Sequence, residues 1–391
     1  MTALRSHRLP LAPGLLAAAA PVLLLLALTG LGTLSVAHHG AAAKASEPQP
    51  AQPDGVSPLI SVVAVGDVML DRGPGAKIRR GGPEVIFARV LSLLADADLR
   101  FCNLECPLSA TGPHDVASLV FRADPGAVEA LVHGGFQVVS LANNHTFNAG
   151  REGLYNTIDT LRAKGIAYVG AHGRNEAEAS CASFDVKGLK VGFLAYTQFR
   201  PTHALLSRQT LTKVCGQVRQ AAGRHDLLFV SVHWGEEYRR SPTAEQVAFG
   251  HALVDAGADV VLGHHPHILE GVEVYKGGVI CYSLGNCVFD QRDVEPMESA
   301  VFRFNYRPGV GLQLRLTPVW IPRATFAPEP CQNEKADKIL TRLEKLCGGL
   351  GTQLLVSDDQ AMVTVYAARS GETTDATGGA AGGEQGVRPG P

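Results

Sequence analysis

The stretch ADVVLGHHPHILEGVEVYKGGVICYSLGN, residues 258–286, decides how this chain is read. Val260-Val261-Leu262 is a short apolar, β-branched run of the kind that forms a buried strand. It leads through Gly263 into His264, His265, Pro266 and His267, three imidazoles within four positions. Pro266 cannot donate to a sheet ladder, so the group sits in a loop just past the strand. His265 and His267 are two residues apart, and in an extended backbone both side chains leave on one side and can grip one ion or two neighbouring ions. The run directly follows an apolar strand and lies far from either terminus, which sets it apart from a tag-like surface tract.

The same pattern recurs upstream. Leu59 to Val65 reads as a buried strand that ends at Gly66 and delivers Asp67. Leu99 to Asn103 delivers Glu105, and Gln137 to Leu141 delivers Asn143, Asn144 and His145. Leu227 to Val232 delivers His233, followed by Trp234, Glu236, Glu237 and Tyr238. Helical patterns separate these strands: Pro83 to Leu94 with proline in the first turn, Asp124 to about His133, Gly150 to Lys164, Leu211 to Ala222 and Thr243 to Ala256. Ser180 to Val186 and Leu189 to Tyr196 read as a hairpin around Lys187-Gly188. Strands then follow at Gly271 to Tyr275, Val279 to Leu284, Ala300 to Tyr306 and Gly311 to Trp320, with a helix from Glu334 to Leu346 and a last strand at about Ala361 to Ala367. Alternating strands and helices followed by antiparallel strands predict a mixed α/β domain.

Asp67, Glu105, Asn144 with His145, His233, and His265 with His267 each lie just past the carboxyl end of a predicted strand, the edge where open α/β sheets bind ligands. Carboxylate, amide oxygen and imidazole suit a borderline divalent ion, manganese, zinc or iron, better than calcium. Six ligands, Asp67, Glu105, Asn144, His233, His265 and His267, suffice for one or two ions, with Asp67 or Glu105 bridging a pair. His145, next to a ligand, is placed to act as a general acid. Asp71, Asn143, Glu236, Glu237, Tyr238, His264 and Asn286 are expected around this centre as orienting or substrate-touching residues, with His264 directed away from the ions. Each residue also has a plainer explanation as a cap, turn or core residue, but these would all have to hold together.

Composition bounds the function classes. The chain has 391 residues, 46% hydrophobic and 18% charged, with a net charge of -2. That supports a large core and provides no basic stripe, so nucleic acid binding is not expected. Arg5, His7 and Arg8 precede an apolar run to about Ala37, long enough to span a bilayer, so residues 1–37 read as a signal peptide or an N-terminal membrane anchor. Either one sends the remainder outward, to the cell envelope, membrane-anchored or secreted. Residues 38–58 read as a flexible linker, 59–370 as the folded domain and 371–391 as a disordered tail. In an exported chain the eight cysteines are free to form bridges, and Cys331 with Cys347 would staple the ends of a helical segment.

In order, Gly66-Asp67-Val68-Met69-Leu70, Asn103-Leu104-Glu105, Leu141-Ala142-Asn143-Asn144-His145, His233-Trp234-Gly235-Glu236-Glu237-Tyr238, Gly263-His264-His265-Pro266-His267 and Tyr282-Ser283-Leu284-Gly285-Asn286 resemble the bacterial capsule-synthesis CapA family, associated with poly-γ-glutamate production. The likeness covers about Leu59 to Tyr306. That family in turn resembles the calcineurin-like metallophosphoesterases, which implies a metallophosphoesterase-like α/β fold, a mixed-sheet sandwich flanked by helices, with a dimetal site. Carried over, Asp67 matches the first aspartate, Glu105 the bridging acid, Asn144 the amide ligand, His145 the catalytic histidine, His233 the single downstream histidine, and His265 with His267 the terminal pair. The pattern departs at Met69, where phosphoesterases place a ligand histidine, at Asn103-Leu104-Glu105, where a Gly-Asp pair would begin, and at Thr146, which replaces an acid. The resemblance implies a role in making or exporting a capsular polymer, as a metal-dependent hydrolase within a capsule-synthesis complex. The alternatives are a non-catalytic polymer-binding or assembly factor, or an extracytoplasmic phosphodiesterase or nucleotidase. The partners implied are an anionic polymer or phosphoester substrate and, through the N-terminal segment, the membrane.

Overall fold

A computed structural model describes residues 57–176, 181–199, 208–357 and 359–366. The signal or anchor segment, nearly all of the linker and the C-terminal tail named above lie outside the described residues. Among the described residues no helix is long and apolar enough to cross a membrane.

The chain opens with β1 (Ile60–Val68), α1 (Arg72–Gly81), α2 (Leu91–Leu94), β2 (Leu99–Leu104), α3 (Val128–His133), β3 (Val138–Ser140), α4 (Gly150–Ala163) and β4 (Ala167–Val169). A second set comprises β5 (Ala182–Val186), β6 (Leu189–Thr197), α5 (Arg208–Ala222), β7 (Leu227–His233), α6 (Ala244–Asp255), β8 (Val260–His264), β9 (Val272–Tyr275) and β10 (Gly278–Cys281). It closes with β11 (Asn286–Val288), β12 (Glu298–Arg307), β13 (Gly311–Trp320), β14 (Glu329–Pro330), α7 (Asn333–Gly348), β15 (Leu355–Ser357) and β16 (Gln360–Tyr366). Two sheets result. One runs β15-β16-β13-β12-β1-β2-β3-β4 with β11 on β1 and β14 on β13, and the other runs β5-β6-β7-β8-β10-β9. Both mix parallel and antiparallel pairs, so the mixed α/β sandwich expected from the sequence is the observed architecture.

The period-2 alternation of β1 sorts its side chains into two cores. Ile60, Val62 and Ala64 face the space between the sheets, where they share a core with Phe193, Phe229, Val260, Leu262, Phe302 and Phe304. Val63 and Val65 face the other way, into a core with α3 and α4 through Leu131, Leu154, Ile158 and Leu161. The outer face of the second sheet, Leu228, Val230, Val232 and Val261, packs on α5 and α6 through Val218 and Leu253. The layers are therefore helix, sheet, sheet, helix. Each fully buried aromatic in the central layer contributes roughly 2–3 kcal/mol by removal from water.

Two glycines set how closely the strand ends approach. A Cβ on Gly66 would lie 1.9 Å from the Gly285 carbonyl oxygen, and one on Gly263 would lie 1.9 Å from that of Tyr282. Only a hydrogen side chain permits the bonds Asp67 N to Gly285 O, 2.9 Å, and Leu284 N to Gly263 O, 3.0 Å. The segment Tyr282–Gly285 thereby passes from β10 in one sheet to β11 in the other, where Asn286 pairs with Asp67.

Several expectations require correction. The helix expected from Pro83 to Leu94 is a 3-10 turn at Pro83–Val85 and the short α2. The strand expected over Val279 to Leu284 ends at Cys281, because the chain there changes sheets. No disulfide joins Cys331 and Cys347, and all eight cysteines are free. Cys331 precedes α7 and Cys347 lies in its last turn, and a helix of that length holds its ends roughly 20 Å apart, far beyond disulfide reach.

One buried carboxyl ties α6 to the strand region. Thr243 and Gln246 form a capping box at the start of α6, and Gln246 Nε2 donates to Glu270 Oε2 at 3.1 Å. Glu270 Oε1 is buried without a partner, and burial pushes this carboxyl up to about 8, against the lowering effect of the Gln246 bond. An unfolded glutamate ionises near 4.5. Between those two values the unfolded chain binds fewer protons, so stability falls as pH rises from about 4.5 to about 8, by up to roughly 5 kcal/mol. Glu270→Gln is expected to remove this slope, leaving urea-unfolding midpoints flatter between pH 5 and 8 than in the wild type. An equal slope in both proteins would contradict the assignment.

Candidate metal centre

The carboxyl ends of β1, β2 and β3 in one sheet and of β7 and β8 in the other meet over a single buried cluster. Asp67, Glu105, His233 and His264 are 0–1% exposed, and His265 and His267 are 6% and 4% exposed. The sequence pattern suggested the edge of one sheet. The structure builds the cluster from two, with the crossover at Tyr282–Gly285 joining them.

Asn103 is the hub, and the sequence reading did not name it as a site residue. Its Nδ2 lies 2.9 Å from Asp67 Oδ1, 3.0 Å from Glu105 Oε2 and 3.4 Å from His233 Nδ1. Its Oδ1 accepts from Asn143 Nδ2 at 3.1 Å, and Asn143 Nδ2 also donates to the Leu104 carbonyl at 2.9 Å. Asn143 Oδ1 accepts from the His145 and Thr146 donors, both at 3.1 Å. Two adjacent buried carboxylates need a donor between them, and an amide serves without adding charge. The available signal was Asn103's place two residues before Glu105 on a strand, which sends both side chains to one face.

The amide partners fix the imidazole tautomers. Asn286 Nδ2 donates to the carbonyls of His267 and Pro296, so its Oδ1 must accept from His267 Nδ1 at 2.9 Å. His267 Nε2 then faces Glu105 Oε1 across 3.6 Å. Likewise Asn148 Oδ1 accepts from the Phe121 backbone N–H and from His145 Nδ1, both at 2.8 Å. His145 Nε2 therefore faces the same Glu105 Oε1 across 3.8 Å. Those gaps exceed hydrogen-bond length, and Glu105 Oε1 is buried with no hydrogen-bond partner. His265 Nδ1 is also buried and unpartnered.

Electrostatics agree with a missing positive charge. Burial opposes ionisation of Asp67, but bonds from His264 and His267 and their charge hold its carboxyl well below the usual range. Glu105 has the opposite fate: burial, then the charge of Asp67, pushes it well above its ordinary value. Burial holds His145 down to about 4, His265 to about 3, and His233 well below its ordinary value. These are neutral imidazoles, the form that ligates metals. His267 is raised: burial pulls it down, but its bond to Asp67, the charge of Asp67 and its bond to Asn286 together outweigh that. Two sets of three ligand atoms lie within 4.8 Å of one another: Asp67, Glu105 and His233, and Glu237, His265 and His267. The orphaned Glu105 oxygen, the neutral imidazoles and the paired carboxylates fit a divalent cation.

The remaining residues named from the sequence fall in different places. Asn144 Oδ1 lies 3.0 Å from His233 Nε2, beside the cluster. His264 does not point away: its Nδ1 is 3.0 Å from Asp67 Oδ1. His265 and His267 are not extended, since both take positive φ, 97° and 60°, a strained loop geometry that concentrates at functional sites. Asp71 stays outside the cluster, bonded to His114 Nε2 and the Arg122 N–H, both at 2.9 Å. Glu236 is exposed and pairs with Arg239 at 3.2 Å, while the Tyr238 ring lies 6.1 Å from that of His267. Met69 is wholly buried in the core between β1 and the helices.

Comparisons with known proteins agree with the motif set. Over 284 residues the chain is 31% identical to a capsule biosynthesis protein CapA of Bacillus anthracis, covering 69% of each. Over 297 residues it is 29% identical to the PGA biosynthesis protein CapA of Bacillus subtilis (strain 168), covering 73% of this chain and 78% of that one. A solved structure described as a novel phosphatase from Mycoplasma pneumoniae aligns with 70% of this chain and 91% of its own at 14% identity and a TM-score of 0.40. Residues 61–291 match the family described as bacterial capsule synthesis protein PGA_cap, and with the capsule-synthesis relatives that match shows that the chain belongs to this family.

Proposed function

We propose that this chain is a metal-dependent hydrolase or transferase of the cell envelope that works on an anionic capsule-type polymer. The reading rests on Glu105 Oε1, a buried carboxylate oxygen without a hydrogen bond, faced by His267 Nε2 and His145 Nε2 at 3.6 and 3.8 Å. Such an arrangement is costly unless a cation shares it. Asp67, Glu105, His233, His265 and His267, with Asn144 beside them, would hold one or two ions of manganese, zinc or iron type. A bound ion supplies Lewis acidity at the scissile group. The chain's own residues do the rest. Asn103 and Asn286 fix the ligands, and His145, with Nδ1 committed to Asn148, presents the lone pair of Nε2, which can take a proton from an attacking water and pass it to a leaving oxygen. The names of the relatives, capsule and PGA biosynthesis proteins, support a polyglutamate-like substrate, and the apolar run before Ala37 supports action outside the membrane.

A second reading is a polymer-binding or assembly factor without turnover. Met69 favours it, because a fully buried thioether packed into the core stands where the resemblance implies a ligand histidine.

Purified chain equilibrated with manganese or zinc is expected to retain about one or two ions per molecule by elemental analysis, and Asp67→Asn with Glu105→Gln to lose the ion that these two carboxylates hold. A wild-type chain free of metal under these conditions would end the metal-centre reading. His145→Ala is expected to keep its metal and lose hydrolysis of polyglutamate or a phosphoester by roughly 10²–10⁴-fold. Unchanged turnover removes His145 from the chemistry, and a metal-loaded wild type without turnover decides for the second reading. Asn103→Ala, which strips a donor from both carboxylates, should weaken metal affinity by about 10–100-fold in a calorimetric titration. An unchanged affinity would show that Asn103 does not organise the ligands.

A further inference from the structure

The buried cluster leaves one group of ligand atoms on its solvent side that the inner carboxylates do not serve. Glu237, His265 and His267 each offer an atom within 4.8 Å of the others. Both histidines are buried, and His265 Nδ1 has no hydrogen-bond partner. Glu237 is exposed, but its backbone is held in place. Trp234 N donates to the His264 carbonyl at 3.1 Å, and Tyr238 N donates to the Pro266 carbonyl at 2.9 Å. The turn between these ties has positive φ at Gly235, 82°, and at Tyr238, 61°. The loop carrying Glu237 is thus stitched along the loop carrying the two imidazoles. The adjacent Glu236 is spent on Arg239, so of the two neighbouring acids one pairs outward and the other joins the histidines.

We infer that Glu237 is a direct ligand of a second, outer divalent cation, held with His265 and His267, distinct from an inner ion on Asp67, Glu105 and His233. The assignment rests on the metal-centre reading above. Ligand atoms around one tetrahedral ion sit about 3.4 Å apart, and the three atoms here lie within 4.8 Å of one another. Two imidazoles and one carboxylate select a borderline transition ion over calcium or magnesium. The outer ion has fewer buried anionic ligands than the inner one, so it binds more weakly and exchanges first. Glu237, the exposed member of the three, would put this ion on the solvent side of the cluster, where it could meet an anionic polymer.

The test is stoichiometry, not activity. Full-length wild type titrated with cobalt(II) is expected to take up two ions in two separable phases, by calorimetry and by visible absorption. Glu237→Gln should lose the weaker phase, or shift it more than tenfold, with the tighter phase unchanged. Glu105→Gln should instead weaken the tighter phase. Glu236→Gln removes the same charge one residue away and should leave both phases intact. Two unaltered phases in Glu237→Gln, a single wild-type phase that it leaves unchanged, or equal losses in Glu236→Gln and Glu237→Gln would each overturn the outer site while leaving the inner centre standing. No uptake by the wild type would instead fail the metal-centre reading itself, and the outer site with it.

Discussion

Asp67 is the constraint on which the rest of the structure depends. Its carboxylate has no exposure to water, and an isolated charge in that position would cost many kcal/mol. It is stabilised from both sheets at once. Asn103 on β2 donates to Oδ1 at 2.9 Å, His264 on β8 sits 3.0 Å from the same oxygen, and the His265 N–H reaches Oδ2 at 3.3 Å. One side chain therefore links strands that are far apart in sequence and belong to separate sheets. Losing any partner would leave a buried charge unsatisfied, so the register of β1 against β2 and β11, and its approach to β8 in the other sheet, are coupled to the chemistry of the cluster.

The contrast between the two carboxylates explains why the cluster attracts a cation. Asp67 has donors on both oxygens and stays ionised. Glu105 has a donor on Oε2 only, at 3.0 Å from Asn103, and faces the charge of its neighbour, which together with burial drives it toward the neutral acid. Environments that push two nearby acids apart in this way are typical of functional sites. A divalent ion between them would let both ionise, because it offsets the repulsion that burial amplifies.

Much of this could be read from the residues alone, for a definite physical reason. Fully buried strands such as β1, β7 and β8 appear as continuous β-branched runs, and the polar residue that ends each run is conspicuous against it. Asp67, Glu105, His233, His265 and His267 were found that way. Three-residue strands carry little periodicity, and while β3 is visible through the apolar run that continues to Leu141, β4 and β11 were missed, and with β11 the crossover that joins the sheets. The helix α1 was hidden by Gly73, Pro74 and Gly75 in its first turns, residues that argue against a helix on propensity. Asn103 escaped as a site residue because an amide on a strand looks like an ordinary core polar group until its partners are known, and His264, expected around the centre, turns toward Asp67 instead of away from it.

The fate of Asp71 shows how far a residue can stand from a site and still bear on it. Its carboxylate takes up His114 and the backbone N–H of Arg122, both at 2.9 Å, and so holds the ends of the loop that precedes α3. That loop carries Phe121, whose ring stacks on His145 with centroids 4.2 Å apart. The Phe121 N–H donates to Asn148 Oδ1, the same atom that accepts from His145 Nδ1. Arg72, next in sequence to Asp71, lies 4.6 Å over the opposite partner of that stack, the Phe121 ring, and pairs with Asp290. The His145 ring is therefore oriented by its stack on Phe121 and its bond to Asn148, while Asn143 holds its backbone N–H. The loop that supplies the first depends on Asp71. A carboxylate at the end of β1 that touches no candidate ligand thus governs the direction in which the histidine beside Glu105 presents its free nitrogen.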